Sequence, residues 1–185
     1  MTEEIRRRPG LFEYGLLAVL VLAMIVDGLD MQLLSLVAPL ILSDWHIDKA
    51  SFGPAMSAAL IGMSAGAVAG GWLGDRLGRK AVLVASVLVF GVSTLLVALT
   101  HGMPALVALR LAGGFAFGAT APNTISLLSE WLPMPLRARG ISLMSIGTPI
   151  GGMLGSVLLA GLLPSLGWRG SFVLFGAFSL LMALA

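Results

Sequence analysis

Apolar positions in this chain come in long, almost charge-free runs, broken by short clusters rich in glycine, proline and charge. The pattern predicts helical spans over about residues 14–42, 51–73, 81–99, 105–130, 140–163 and 171–185. The first five reach the roughly 20 apolar residues that cross a bilayer as a helix. The last is only about fifteen residues long, below that length, and reads as cut short. Span 1 is interrupted in the pattern by Asp27-Gly28-Leu29-Asp30 and ends near Pro39, and Ser51 suits an N-cap for span 2. Small residues recur at four-residue spacing: Gly62, Gly66, Gly70 and Gly74, then Gly114 and Gly118, then Gly147, Gly151 and Gly155. Stripes of this kind let helix backbones approach closely in lipid.

Composition settles the solvent. Of the 185 residues 58% are hydrophobic and only 11% charged, against about 25% charged in a soluble domain, so the fold class is an all-α membrane protein with the lipid bilayer as its partner. The net charge of +2 gives no argument for nucleic acid. With no cysteine, disulfides, thiolate metal sites and Cys nucleophiles are excluded. The two histidines, His46 and His101, lie in loops, so no metal site is expected. Arg6, Arg7 and Arg8 before an apolar run resemble a signal peptide, but no small-residue cleavage site precedes Asp27, which predicts an uncleaved first span. Arg6, Arg7, Arg8, Arg76, Arg79, Lys80, Arg137 and Arg139 fall on one side of the spans; Lys49 and Arg169 fall on the other. This bias places the N-terminus and the loops after spans 2 and 4 in the cytoplasm, and the chain in the cytoplasmic (inner) membrane.

Three ionisable residues lie inside spans: Asp27, Asp30 and Arg110. A charge at the bilayer centre costs on the order of 3 kcal/mol, so these should face a cavity or one another. At 1.5 Å per residue, Asp30 is about 18 Å and Arg110 about 9 Å from the outer ends of their spans. Both therefore sit in the outer half of the membrane. Asp27 and Asp30 are three residues apart, share a helix face and resist double ionisation. Two readings stand: one of them loads and releases a proton, or one simply neutralises Arg110. Arg110 has a planar donor fork suited to a carboxylate, so it binds an anionic substrate, partners Asp30 permanently, or alternates between the two. Glu130 is about 30 Å further along span 4. There Asp75, Arg79 and Glu130 are expected to form an inner-face latch that holds an outward-facing state.

The stretch Gly70-Gly71-Trp72-Leu73-Gly74-Asp75-Arg76-Leu77-Gly78-Arg79-Lys80 reads as a tight, glycine-hinged turn between two spans. It resembles in full the loop signature between helices 2 and 3 of the major facilitator superfamily. That resemblance implies a six-helix N-terminal bundle with helix 6 truncated, whose C-terminal six-helix half is missing and would be its partner. Within the superfamily, Asp27-Gly28-Leu29-Asp30 with Ala38-Pro39 resembles the first helix of the aromatic acid:proton symporters. Arg110-Leu111-Ala112-Gly113-Gly114, Ala121-Pro122-Asn123 and Ser129-Glu130-Trp131 resemble their fourth helix. Leu143-Met144, the run Gly147-Thr148-Pro149-Ile150-Gly151-Gly152, and Gly167-Trp168-Arg169 resemble their fifth helix and outer loop.

The resemblance implies proton-coupled uptake of benzoate-type organic acids, with no cofactor beyond the coupling proton. It ties Asp27, Asp30, Asp75, Arg110 and Glu130 to transport. The signature residues Gly70, Asp75, Arg76, Gly78, Arg79 and Lys80, with Glu130, form the expected cytoplasmic gate. Gln32 and Asn123 are polar groups in apolar surroundings, and each either lines the substrate cavity or makes a helix–helix hydrogen bond. Leu29 departs from the family, which usually carries an aromatic residue there. Symport of another organic acid or metabolite, drug or metabolite antiport, and a non-transporting homologue that assembles with a partner half are the alternatives. Pro149 stands one residue out of place for the G-P-x-x-G-G motif frequent in exporters. Gly91-Val92-Ser93-Thr94 faintly resembles an intramembrane serine-protease site, but no histidine base lies in any span, so no enzyme is expected.

Overall fold

A computed structural model describes residues 10–132 and 134–183, so Arg6, Arg7 and Arg8, on which part of the orientation rests, lie outside the described residues. The described chain is helical, without strands: α1 Leu11–Trp45, a 3-10 turn Lys49–Phe52, α2 Gly53–Leu77, α3 Arg79–Val97, α4 Met103–Trp131 and a run Met134–Met182. That last run is broken at Gly167 (φ 63°, ψ −177°), which divides it into α5, residues 134–166, and α6, residues 168–182. Asp48 caps the 3-10 turn by accepting from the Lys49 backbone N–H at 2.8 Å, and Pro54 occupies the first turn of α2, where no N–H is needed.

Contacts between glycines and their neighbours give the helix directions. Gly62, Gly66, Gly70 and Gly74 meet Leu111, Phe115, Ala119 and Asn123 in step, so α2 and α4 run parallel. Met24, Ile25 and Leu29 meet Gly147, Gly151 and Gly155, so α1 and α5 are parallel as well. Gly91 lies against Leu180 and Leu95 against Gly176, so α6 runs back along α3. The described residues therefore form six successive helices, in which five continuous stretches are long and apolar enough to cross a membrane.

Two apolar cores mark the two ends of the bundle. One draws on all six helices, including Leu33, Ala55, Val97, Leu106, Leu159 and Phe172. The other gathers Leu17, Leu20, Met24, Leu128, Leu132 and Met144 at the end where α4 gives way to α5. Outside these cores, Ile61 and Val68 of α2 and Met153 and Val157 of α5 stay exposed. Apolar faces left open on helices of this length belong to a multi-pass membrane protein.

Two details differ from the sequence pattern. Helix α1 passes unbroken through Asp27-Gly28-Leu29-Asp30 and Pro39 as far as Trp45. Gly28 does not bend it; a Cβ there would collide with the Thr148 carbonyl, so the residue is small because α5 lies against it. The turn read over the whole signature stretch is also narrower than expected, confined to one residue. Gly70, Gly71 and Gly74 are helical, and Gly78 alone (φ 92°) makes the reversal into α3. Its backbone lies in the left-handed region that glycine adopts without steric cost.

Candidate functional site

Helices α1 and α4 bring Asp30 and Arg110 together. Arg110 Nη1 stands 3.5 Å from Asp30 Oδ2, and the two side chains are 11% and 2% exposed. A charge-assisted N–H···O bond closes to about 2.7–2.9 Å, so this is an ion pair without a close hydrogen bond. Among the described residues, the buried Arg110 Nε and Nη2 and Asp30 Oδ1 have no hydrogen-bond partner. The guanidinium also lies 5.2 Å from the centroid of the Phe172 ring on α6, a cation–π distance. Beside the pair is a cavity of about 240 Å³, walled by Asp30 and Arg110 and by apolar groups including Met31, Met56, Met63, Phe90 and Phe117.

Asp27 is buried one turn below Asp30 on the same helix. Among the described residues it has no ion pair; Asp30 is the charge it senses, and the Thr120 hydroxyl lies within hydrogen-bonding reach. The one hydrogen of that hydroxyl goes to the Phe117 carbonyl at 2.7 Å. Thr94 of α3 stands beside Asp30.

The signature residues gather at the other end. Arg79 reaches Asp75 Oδ1 with Nη2 and Glu130 Oε1 with Nη1, both at 3.1 Å, joining α2, α3 and α4. Arg76 takes no part and stacks on Trp72, 4.0 Å from the ring centroid. Lys80 is exposed and Gly78 makes the turn. Gly70 faces Ala119 too closely for any side chain.

Gln32 and Asn123 do not wall the cavity. Gln32 is exposed and packs beside Gly152 of α5. Asn123 is buried, and its Nδ2 donates to the carbonyls of Gly70 and Ala119, both at 2.8 Å. Thr94 stands out in the sequence only within Gly91-Val92-Ser93-Thr94, and Thr120 and Phe172 not at all, since a hydroxyl or a ring within an apolar run is a weak signal. Sequence reasoning also passed over a clasp at the Trp168 end. There Asp44 accepts from Arg169 Nη1 at 2.9 Å and from Trp168 Nε1 at 3.2 Å, and Arg169 Nη2 donates to the Thr100 carbonyl at 3.3 Å.

A buried Asp–Arg pair between two helices of a six-helix bundle, with a charged triad at one end, calls for comparison with known proteins. The family model described as Major Facilitator Superfamily matches residues 20–185. The chain belongs to the Major Facilitator Superfamily. Among curated relatives, the 4-hydroxybenzoate transporter PcaK of Pseudomonas aeruginosa is 40% identical over 172 residues, covering 93% of this chain and 38% of the relative. A gallate transporter of Pseudomonas putida is 38% identical, covering 85% of this chain and 35% of the relative. The chain thus spans about two fifths of the length of these relatives.

Solved structures of superfamily folds agree. A bacterial homolog of the human lysosomal transporter Spinster, inward-facing and unoccupied, superposes with a TM-score of 0.85 at 20% identity, over 96% of this chain and 43% of that one. The proton:xylose symporter XylE bound to 6-bromo-6-deoxy-D-glucose gives 0.81 at 20% identity, over 94% and 44%. At such identity these two show the fold alone.

Proposed function

We propose that this chain is the N-terminal six-helix half of a secondary transporter that takes up aromatic carboxylates together with protons across the cytoplasmic membrane. The observation that carries the reading is the incomplete Asp30–Arg110 pair in the wall of an apolar cavity. A buried guanidinium with two idle donor nitrogens has room for a second carboxylate, and the apolar wall suits a ring. The cavity volume of 240 Å³ falls below the roughly 300–1,000 Å³ of complete ligand pockets. It suits a single-ring acid, with the remaining wall supplied by the other half of the transporter, and superfamily transporters place their sites between halves. The names of the curated relatives, 4-hydroxybenzoate and gallate transporters, support an aromatic acid.

Proton coupling follows from the cost of separating the pair. When a substrate carboxylate takes Arg110, Asp30 is left buried without its cation, and a lone buried charge is far more costly than a neutral carboxyl. Asp30 therefore takes a proton as the substrate binds and loses it when Arg110 returns. Asp27, which has no cation beside it among the described residues, is the second proton-bearing group on the same face. The Arg79–Asp75–Glu130 triad closes the cytoplasmic end, an orientation that rests on the basic residues Arg76, Arg79, Lys80, Arg137 and Arg139 gathering there.

Uptake of labelled 4-hydroxybenzoate by membrane vesicles carrying the protein, set against a non-aromatic acid of similar size, tests the reading. Accumulation should be selective for the aromatic acid and should collapse when an uncoupler is added. Accumulation that survives the uncoupler removes the proton, and equal uptake of both acids removes the aromatic substrate.

A further inference from the structure

Asn123 is the most buried amide-bearing side chain of α4, and nothing in the proposed transport cycle uses it. Both of its amide hydrogens are committed. One goes across to the Gly70 carbonyl on α2 and the other back to the Ala119 carbonyl on its own helix, each at 2.8 Å. Its Oδ1 lies directly over Gly74, where a Cβ would collide with it. At Gly70 a Cβ would strike Ala119. By contrast Gly71, the neighbouring glycine of the signature, has nothing within 4 Å of the place its Cβ would occupy. Of the signature glycines, Gly74 is therefore small because the Asn123 amide lies over it, and Gly70 because Ala119 does, while its carbonyl takes the Asn123 bond; both are helical, so chain reversal does not account for them.

The position of this joint matters. On α2 the joint touches Gly74, next to Asp75 of the triad, and on α4 Asn123 stands seven residues, about two turns, before Glu130. Arg79 reaches Glu130 only while the ends of α2 and α4 stay in register. The triad itself is half exposed, with Arg79 and Glu130 side chains 30% and 51% accessible, and exposed pairs of this kind contribute little by themselves. A buried amide holding two carbonyls has no such weakness, because breaking it leaves polar atoms unmet in an apolar interior.

We propose that Asn123 is the positioning residue of the charged end: its fit against Gly70 and Gly74 fixes how closely α2 and α4 approach, and so sets whether Arg79 can bridge Asp75 and Glu130. The charges report closure, and the amide joint holds it. Nothing in this depends on which molecule is transported, so it stands or falls apart from the aromatic-acid reading.

The chain has no cysteine, so paired labels can be introduced without removing native thiols. Spin labels at the exposed positions Leu77, at the end of α2, and Met134, three residues past the end of α4, on the protein in lipid, would report the separation of those two ends. Three variants are compared: Asn123→Ala, Gly74→Ala, and both together. Each single change should shift the distance distribution toward longer separations. Asn123→Ala loses the one bond that crosses to α2, worth about 1 kcal/mol, so its closed fraction should fall roughly fivefold relative to the open one. Gly74→Ala should shift it the same way because its methyl would meet Asn123 Oδ1. The double variant should recover much of the closed population, because the new methyl fills the space that the amide leaves. Asn123→Leu serves if Asn123→Ala folds poorly. Distributions unchanged in both single variants, or a double variant whose shift is the sum of the two, would overturn the proposal. If Glu130→Gln widens the separation as much as Asn123→Ala does, the charges hold the end closed and the proposal also fails.

Discussion

Arg110 faces Asp30 across 3.5 Å with two of its nitrogens unmatched. A buried pair left in this state is poised between two partners, and removing either member exposes the other to a hydrocarbon-like interior. Arg110→Ala should cost about 3–5 kcal/mol of stability, the usual penalty for orphaning one member of a buried pair, and should abolish substrate binding. Asp30→Asn leaves the guanidinium without a resident anion, so it should bind aromatic acid at least as tightly as the wild type while releasing it slowly. Equilibrium binding and thermal unfolding of the two variants in lipid check both halves of this expectation.

Asp27 differs from Asp30 in having no cation beside it among the described residues. Asp27→Asn should therefore keep substrate exchange between the two sides of the membrane and lose accumulation driven by a proton gradient. Counterflow measured beside gradient-driven uptake in the same vesicles separates these. Loss of both activities together would return Asp27 to a structural role.

The triad at the other end should be worth little on its own. Glu130→Gln removes a half-exposed partner of Arg79, and exposed pairs contribute about 0–1 kcal/mol and weaken with salt. Thermal unfolding of this variant should match the wild type within that range, and the difference should shrink at high ionic strength.

Glycine substitutions should divide sharply by position. At Gly151 a Cβ would collide with the Ile25 carbonyl of α1, whereas at Gly161 nothing lies within 4 Å. Gly151→Ala should cost about 1–3 kcal/mol through overpacking. Gly161→Ala should be neutral or stabilising by up to about 1 kcal/mol, from better helix propensity. Melting temperatures of the two variants in one lipid or detergent provide the comparison.

Much of this was legible in the residues before any coordinates. Apolar run length identifies membrane helices because a bilayer imposes a length on whatever crosses it. Four-residue glycine spacing marks α2, α4 and α5 as closely packed, and the structure shows which helix each stripe meets. That Asp30 and Arg110 are paired could be inferred from cost, since lone charges in lipid are rare. What was hidden depends on rotation and register. A one-dimensional pattern does not say that Gln32 turns toward α5 while Asn123 turns toward α2. Nor does it show that Thr120 meets Asp27, because threonine is common in helices of every orientation. The Asp44–Trp168–Arg169 clasp joins residues more than 120 positions apart and has no local signature. The unbroken course of α1 escaped because Gly28 and Pro39 look like helix breakers, while tertiary packing overrides both.

The glycine seams between α1 and α5 and between α2 and α4 also bear on how such a protein can change over generations. Any glycine codon becomes an alanine codon by a single-base change, yet at Gly28, Gly66, Gly114, Gly118 and Gly151 even that methyl has no room. Drift is therefore blocked along the seams by folding alone, whatever the protein carries. The cavity wall is under no such steric veto: Met31, Met56 and Met63 are flexible side chains that tolerate replacement. On the proposed reading, new substrate preferences can arise there by small steps while the frame that presents them stays fixed.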